Sequence, residues 1–345
     1  MERLQVVILC GLFVTATLML YKSDSIGSFV QHSKQQYTHA SAADSSRKTI
    51  SSVDAMKEVQ SSGDRDELLK QIQAEATKRN IAPVDARLDR VWKAIPGYNG
   101  LEVDVEKSLA LNEQLLFRNQ LRLAMREVEP AVQLEHLGSH PVYKGNPMKP
   151  MVSLMINVAW GNEYLPKMLK VLDDEQVHAT FFFDGSWLKQ NIPTAQLIKE
   201  KGHELSNHAY SHKDMSKLTR AQATAEITKT EQLLKEQLGV TNRLFAPPSG
   251  DFNQATVDIA RELKLTTILW TLDTVDWQKP QPSSIIRKVA ARVEPGALIL
   301  MHPTYSSSEA LQEIIRTIKR KKMKLGTVSE LISTKRIDEV ESITQ

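Results

Sequence analysis

The alternation of short apolar runs with longer amphipathic stretches, from residue 151 onward, constrains the fold of this chain more than any other feature. The apolar runs predict strands at residues 151–156, 179–183, 244–245, 266–270 and 297–301. Residues at helical spacing predict helices at 164–175, 195–201, 220–238, 254–263, 283–293 and 308–322. Continuous apolar strands that alternate with helices indicate a parallel sheet covered on both faces. The predicted fold class is therefore α/β, with the sheet closed or partly closed into a barrel.

Polar residues are concentrated where the predicted strands end. Asn157 follows the first strand, and Asp184 follows the second. The later exits carry His208, His212, Asp273, Asp276, Trp277 and His302. Because the carboxyl ends of parallel strands meet at one edge of a barrel, these side chains are predicted to form one site.

The segment 202–212, G-H-E-L-S-N-H-A-Y-S-H, contains two histidines that are four residues apart. One helical turn would place the imidazoles of His208 and His212 on the same face. Two neutral imidazoles at that spacing are good ligands for a divalent metal of the zinc class. The alternative is a pair of surface or capping histidines on a loop between a strand and a helix.

The N-terminal segment differs in composition from the rest of the 345-residue chain. Residues 4–21 carry no charge and lie between Arg3 and Lys22, and 18 helical residues rise about 27 Å, close to the thickness of a bilayer core. We predict a signal anchor at 1–22 and expect the rest of the chain on the extracytoplasmic face of the membrane, although the charges around the segment do not by themselves determine its orientation. A cleaved signal peptide, with a weak site at 25–27, is the alternative and would make the protein secreted.

Three further segments flank the predicted barrel. Residues 23–63 are rich in Ser, Gln, Lys, Ala and Asp and predict a flexible tether. Residues 64–147 predict a small α+β module, with helical spacing at 64–78 and 88–95 and short strands at 101–105 and 115–117. The main domain is predicted at 150–335, followed by a tail at 336–345. The net charge of +3 gives no reason to expect nucleic acid as a partner.

Five motifs of the main domain resemble those of a known family. They are T-F-F-F at 180–183, S-N-H-A-Y-S-H at 206–212, F-A-P-P-S-G at 245–250, W-T-L-D-T-V-D-W at 270–277 and L-I-L-M-H at 298–302. Their order and spacing resemble the polysaccharide deacetylase family, also called the NodB-homology family or carbohydrate esterase family 4. The residues 160–164 and the N-terminal anchor most resemble its sporulation-associated members. The resemblance implies a distorted (β/α) barrel of the NodB type that hydrolyses N-acetyl groups of cell-wall glycan.

The resemblance also implies roles for individual residues. His208 and His212 match two ligands of a zinc-class metal that the family holds with one further aspartate. His302 matches the general acid that protonates the leaving amine, and Asp276 matches the carboxylate that orients this histidine. The substrate-binding positions implied are Trp160, Pro248, Ser249, Trp270 and Leu300. The backbone N–H of Ser249 matches a donor to the tetrahedral oxyanion.

Three residues depart from the family pattern T-F-D-D-G and R-P-P. Asn157 takes the place of the general base, Val158 that of the metal-binding aspartate, and Ala246 that of the arginine. A register shifted by two, at 159–161, also loses both carboxylates. The amide of Asn157 cannot accept a proton at neutral pH, and Val158 has no atom to offer a metal. Without a carboxylate to hold, an arginine at position 246 would be an unpaired buried charge, which makes Ala246 consistent with the other losses.

Two carboxylates could replace the missing ligand, Asp184 and Glu163. Their structural alternatives are a helix N-cap for Asp184 and a first-turn acid for Glu163. We therefore predict weak metal binding through His208 and His212, completed by water or Asp184. Two functions remain open: a deacetylase of weak or non-standard activity, and a catalytically silent protein that binds glycan in the same cleft.

Overall fold

The structure is a computed structural model that describes residues 52–113 and 121–337. The predicted anchor, most of the predicted tether and residues 338–345 of the predicted tail lie outside the described residues. Within the described ranges, no helix has both the length and the apolar character needed to cross a membrane. The chain from Arg65 onward forms one compact unit.

Helices and strands are numbered in chain order. The helices are α1 (Ser52–Arg79), α2 (Val105–Glu113), α3 (Leu165–Asp174), α4 (Gly185–Gln190), α5 (Ile192–Glu200), α6 (Arg220–Leu238), α7 (Gln254–Glu262), α8 (Pro282–Arg292), α9 (Tyr305–Arg320) and α10 (Val328–Ile332). The strands are β1 (Arg87–Asp89), β2 (Lys93–Ile95), β3 (Gly100–Val103), β4 (Met125–Val128), β5 (Met151–Val158), β6 (Thr180–Phe183), β7 (Glu204–Asn207), β8 (Leu244–Phe245), β9 (Thr266–Thr267), β10 (Leu272–Asp273), β11 (Leu298–Met301) and β12 (Lys324–Gly326). Short 3₁₀ turns occur at Leu134–Leu137, Met215–Lys217, Pro248–Gly250 and Asp276–Gln278.

The main sheet has eight strands in the order β10-β11-β5-β6-β7-β8-β9, and β12 also pairs with β5. Every pairing recorded in this sheet is parallel. The terminal strands β9 and β10 are not paired with each other in the described part of the chain, so the barrel is open on that side. The prediction of a distorted α/β barrel is confirmed.

The two faces of β5 pack against different layers. Its even-numbered residues from Val152 to Val158 belong to an apolar cluster that includes residues of α3 and α9. Met151 and Met155, on the other face, belong to a second cluster with inward-facing residues of β6, β8 and β11. Because side chains alternate along a strand, Asn157 falls on the face of Met155 and therefore on the barrel interior.

Several element predictions for the barrel were wrong in detail. The predicted strand at 266–270 ends at Thr267, because the next residues pair with the segment that precedes β5. Ile268 forms a bridge with Val142, and the Leu269 N–H donates to the Val142 carbonyl at 2.8 Å. The predicted strands omitted β12, and α4 was not predicted either. In each case a long-range pairing or a local cap, rather than an apolar run, defines the element.

The small module also differs from its prediction. Residues 87–95 form the antiparallel hairpin β1–β2 instead of a helix, because the Asp89 side chain accepts from the N–H groups of Val91 and Trp92 and closes a turn. β3 pairs with β4, whereas the predicted strand at 115–117 lies outside the described residues. Helix α1 begins at Ser52, within the predicted tether, since residues 52–63 include helix formers such as Ala, Met, Lys and Glu.

Candidate active-site cleft

A cavity of about 430 Å³ lies at the carboxyl ends of the barrel strands. It is lined by Asn157, Ala159, Trp160, His208, His212, Ser249, Trp270, Asp273, Trp277, Leu300 and His302. Each of these residues ends a strand or lies in a loop beyond one, as expected for a parallel barrel. The structure therefore brings together most of the residues that the sequence placed at strand exits.

Asp276 is fully buried and holds His302 at the cleft wall. Its Oδ1 lies 2.8 Å from His302 Nδ1, and its Oδ2 accepts the backbone N–H of His302 at 2.6 Å. The hydroxyls of Thr304 and Ser307 also donate to Oδ2. Because a carboxylate only accepts, Nδ1 of His302 carries a proton, and the imidazole has one fixed orientation with Nε2 free for another partner.

The imidazoles of His208 and His212 lie close together, but a helical turn does not bring them together. They follow β7 in a loop in which Ala209 and His212 have positive φ values of 58° and 52°. The imidazole centroids are 5.2 Å apart with the rings at 72°. His208 Nδ1 lies 2.8 Å from the Ala246 carbonyl, so Nδ1 carries the proton and Nε2 keeps its lone pair. Burial, and next the neighbouring His212, lower the pKa of His208 to about 3, so this imidazole is neutral.

Asn157 and Val158 end β5 with different environments. Asn157 lines the cleft with only 3% of its surface exposed, and its Oδ1 has no hydrogen-bond partner among the described residues. Val158 is fully buried in the apolar cluster between the sheet and the helices. The cleft thus receives a carboxamide from position 157 and no polar atom from position 158.

Three tryptophans form walls of the cleft. Trp160, which is 46% exposed, stacks on His302 with ring centroids 5.8 Å apart and an interplanar angle of 10°. Trp277 is 54% exposed, and Trp270 is partly buried. Gly250, at φ 67°, allows the close approach of Trp270, since a Cβ there would lie 2.6 Å from its ring. Trp277 and Asp273, to which the family resemblance assigns no role, both line the cleft, as predicted from their positions at strand exits.

Apart from Asp276, which contacts His302 without lining the cavity, three candidate site residues are not among the lining residues. Asp184 caps α4, where its Oδ1 accepts the Trp187 N–H at 3.0 Å and the Ser186 hydroxyl. Glu163 is exposed in the turn that precedes α3. Pro248 is buried in the 3₁₀ turn that carries Ser249. The alternative role predicted for Asp184, a helix N-cap, is therefore the one that its Oδ1 has in the structure.

Comparisons with known proteins find the same combination of fold and motifs. A family profile described as polysaccharide deacetylase matches residues 144–268. An uncharacterised protein of Bacillus subtilis (strain 168), YlxY, is 46% identical over 273 residues, which cover 79% of this chain and 86% of that protein. The crystal structure of a pseudoenzyme of carbohydrate esterase family 4 from Bacillus anthracis matches with a TM-score of 0.72 and 42% identity, covering 79% of this chain and 96% of that one. The chain belongs to the polysaccharide deacetylase family.

Two further relatives bracket the range of activity within the polysaccharide deacetylases. A mutant of the same pseudoenzyme, described as having restored enzymatic activity, matches with a TM-score of 0.72 and 41% identity, covering 78% of this chain and 99% of that one. A peptidoglycan-N-acetylglucosamine deacetylase of Bacillus cereus is 30% identical over 177 residues, covering 50% of this chain and 64% of that enzyme. The family therefore contains both active deacetylases and members without ordinary activity.

The side chains that line the cleft do not supply all the ligands of the metal site that the family pattern implies. His208 and His212 offer two imidazole nitrogens, but the third position is the hydrocarbon side chain of Val158. In residues 52–113 and 121–337, no group of three or more His, Cys, Asp or Glu side chains could hold a metal ion. Asp184 is thus not gathered with the two histidines, and a catalytic zinc site ordinarily needs three protein ligands.

Proposed function

We propose that this chain binds N-acetylated cell-wall glycan in the cleft and deacetylates it weakly or not at all. The observation that carries the proposal is the replacement of the family's general base by Asn157, whose amide cannot take a proton from water at neutral pH. Loss of a general base costs about 10²–10⁴-fold in rate, or about 3–5 kcal/mol of barrier. The incomplete metal site removes a second contribution to the same step.

The walls suited to a sugar remain in place. Indole rings bury the apolar faces of pyranose rings and leave the hydroxyl groups at the edges free to hydrogen-bond. Trp160 and Trp277 are both exposed at the cleft, and Trp270 also lines it. His302, held by Asp276, offers its second ring nitrogen to a ligand. These features support retained glycan binding without the base half of the chemistry.

Acetate release and glycan binding, measured on one preparation, test the proposal. N-acetylglucosamine oligomers should bind in titration calorimetry, while acetate release with added zinc or cobalt should stay near the background rate. Trp160→Ala and Trp277→Ala should each weaken binding about fivefold to tenfold, equivalent to about 1.0–1.4 kcal/mol per lost ring contact. Leu197→Ala, at an exposed apolar residue outside the cleft, serves as the control. Acetate release at an ordinary enzymatic rate, or no binding of any oligomer, would overturn the proposal.

We also infer that the protein is located at the cell envelope, on the extracytoplasmic face of the membrane. We infer further that it acts in sporulating cells. The uncharged segment 4–21 supports a membrane anchor, and glycan as a partner supports the outer face. Full-length protein should stay in the membrane pellet after alkaline carbonate washing, whereas a chain that starts at residue 23 should not. Equal amounts of protein in growing and sporulating cells would contradict the sporulation part of the inference.

A further inference from the structure

Asn157 carries a buried hydrogen-bonding atom that the protein itself does not satisfy. Its Oδ1 lacks a partner within the described residues, and the side chain is almost completely buried at the cleft wall. Other side chains of the described chain also have buried atoms without partners: Asn99, Ser153, Asp184, His203, Thr267 and Thr274. None of those belongs to the residues that line the cleft. A buried acceptor without a donor is unfavourable, so a ligand that donates at this point gains affinity.

The surroundings of Asn157 restrict the chemistry of that donor. His208 lines the same cleft, and its Nδ1 is engaged by the Ala246 carbonyl, so Nε2 is the ring nitrogen that remains for a ligand. Asp273 is the one carboxylate among the lining residues, and its Oδ1 already accepts the Val275 N–H at 2.7 Å. The oxygen at position 157 belongs to a neutral amide, which pairs with an uncharged N–H group, whereas a desolvated ammonium group needs an anion at that point.

We propose that Asn157 recognises the acetamido group of the glycan: its Oδ1 accepts the acetamido N–H, and the cleft thereby selects N-acetylated over N-deacetylated sugar. The inference rests on the proposed glycan binding and adds a residue that determines specificity. An amide N–H is a neutral donor, and it is lost as such on deacetylation, which leaves an amine that takes up a proton. A carboxylate at position 157 would instead attract that charged amine. The substitution of asparagine for the family's aspartate thus changes a reacting group into a recognition group.

Titration calorimetry with two tetrasaccharides tests this assignment. Wild-type protein should bind the N-acetylglucosamine tetramer at least about tenfold more tightly than the glucosamine tetramer, since one matched hydrogen bond and one unpaired cation separate them. Asn157→Ala should lose about fivefold to tenfold in affinity for the acetylated tetramer. Asn157→Asp should reduce or reverse the preference. Ser153→Ala is the matched control, because Ser153 lies on the same face of β5, is buried with its hydroxyl unpartnered, and does not line the cleft.

The possible results separate this inference from the proposed function. Failure of the wild-type protein to bind either tetramer would remove the proposed function and this inference with it. Equal affinity for the two tetramers, or full affinity in Asn157→Ala, would overturn only the role of Asn157. Folding does not confound the test, because Asn157→Ala removes an unsatisfied buried group and should melt at or above the wild-type temperature. Asn157→Asp, which is nearly isosteric, provides the second variant.

Discussion

Asn157 and Val158 are adjacent in β5, yet Asn157 lines the cleft and Val158 packs in the apolar cluster between the sheet and the helices. The alternation of side chains along a strand accounts for the difference. The two positions at which the family places its carboxylates are therefore not equivalent in this chain. Position 157 carries a polar group that lines the cleft, and position 158 carries a hydrocarbon side chain that is part of the hydrophobic core.

Val158→Asp should destabilise the protein in the absence of metal and should make its stability depend on zinc. The new carboxylate enters an apolar environment, at a cost of about 3 kcal/mol or more, unless a metal at His208 and His212 draws it into the cleft. Melting temperatures with and without zinc measure the effect. Val158→Thr, which is nearly isosteric and has no carboxylate, should show no response to zinc. A Val158→Asp protein whose melting temperature ignores zinc would show that position 158 cannot reach the histidines.

The triple change Asn157→Asp, Val158→Asp, Ala246→Arg should raise acetate release far beyond the product of the single effects. The three residues act as one unit, because the base needs both a metal-bound neighbour and an arginine to hold it, and such groups are strongly non-additive. Asn157→Asp alone should leave the rate of acetate release nearly unchanged.

The control for the triple variant is the loss of its acid. His302→Ala in that background should lower acetate release by about 10²–10⁴-fold, since the general acid is removed. A folded triple variant with tight zinc binding and no gain would mean that the cleft no longer holds the sugar. Ordinary activity in the wild-type protein would mean that another carboxylate acts as the base.

The buried His203 should make the fold less stable as the pH falls below neutrality. Burial, and next the charge of His178, lower the pKa of His203 to about 4, from 6.5 in an exposed histidine. The neutral form is favoured in the folded state, so its contribution is complete above about pH 6.5 and is lost as the pH falls towards 4. Linkage gives a loss of about 2 kcal/mol between about pH 7.5 and about pH 5. Urea unfolding at several pH values measures it.

His203→Gln is the comparison for that pH series. Glutamine has an amide oxygen that could accept the Ala179 N–H, which now bonds to Nδ1 of His203, but it does not titrate. The variant should show a flatter dependence of unfolding free energy on pH in this window. An unchanged slope would assign the pH dependence to other groups.

Gly161→Ala should disturb the contact between Trp160 and His302. Gly161 has a φ of 84°, and a Cβ there would lie 2.0 Å from the Pro303 carbonyl oxygen, so the loop must move away from the loop that follows His302. We expect a lower melting temperature and a changed tryptophan fluorescence spectrum. Gly138→Ala is a control, because Gly138 also has a positive φ but its nearest neighbour would be 3.9 Å away. If both variants behave alike, backbone strain alone explains the effect.

The barrel and most of the cleft could be predicted from the sequence because both depend on local patterns. Apolar runs marked β5, β6, β8 and β11. The polar residues at strand exits include Asn157 and His302 of the cleft, whereas Asp184, at the exit of β6, caps a helix. The prediction of a helix at 88–95 was wrong, although apolar residues occur there at helical spacing. The side chain of Asp89 closes a turn, and this turn makes the segment a hairpin. The prediction of a strand through residue 270 failed because Val142, which is remote in sequence, donates its N–H to the Thr267 carbonyl and accepts the Leu269 N–H.

The sequence by itself determined which chemical groups this site contains: a carboxamide at 157, a hydrocarbon at 158, and a histidine at 302 with an aspartate at 276. The tertiary structure alone decided how those groups meet. It brings His208 and His212 together through a loop with two positive φ values, buries Asp276 against His302, and leaves Asn157 Oδ1 without a donor. The physical reason is that composition and periodicity act over a few residues, whereas hydrogen-bond partners and burial arise between segments far apart in the chain.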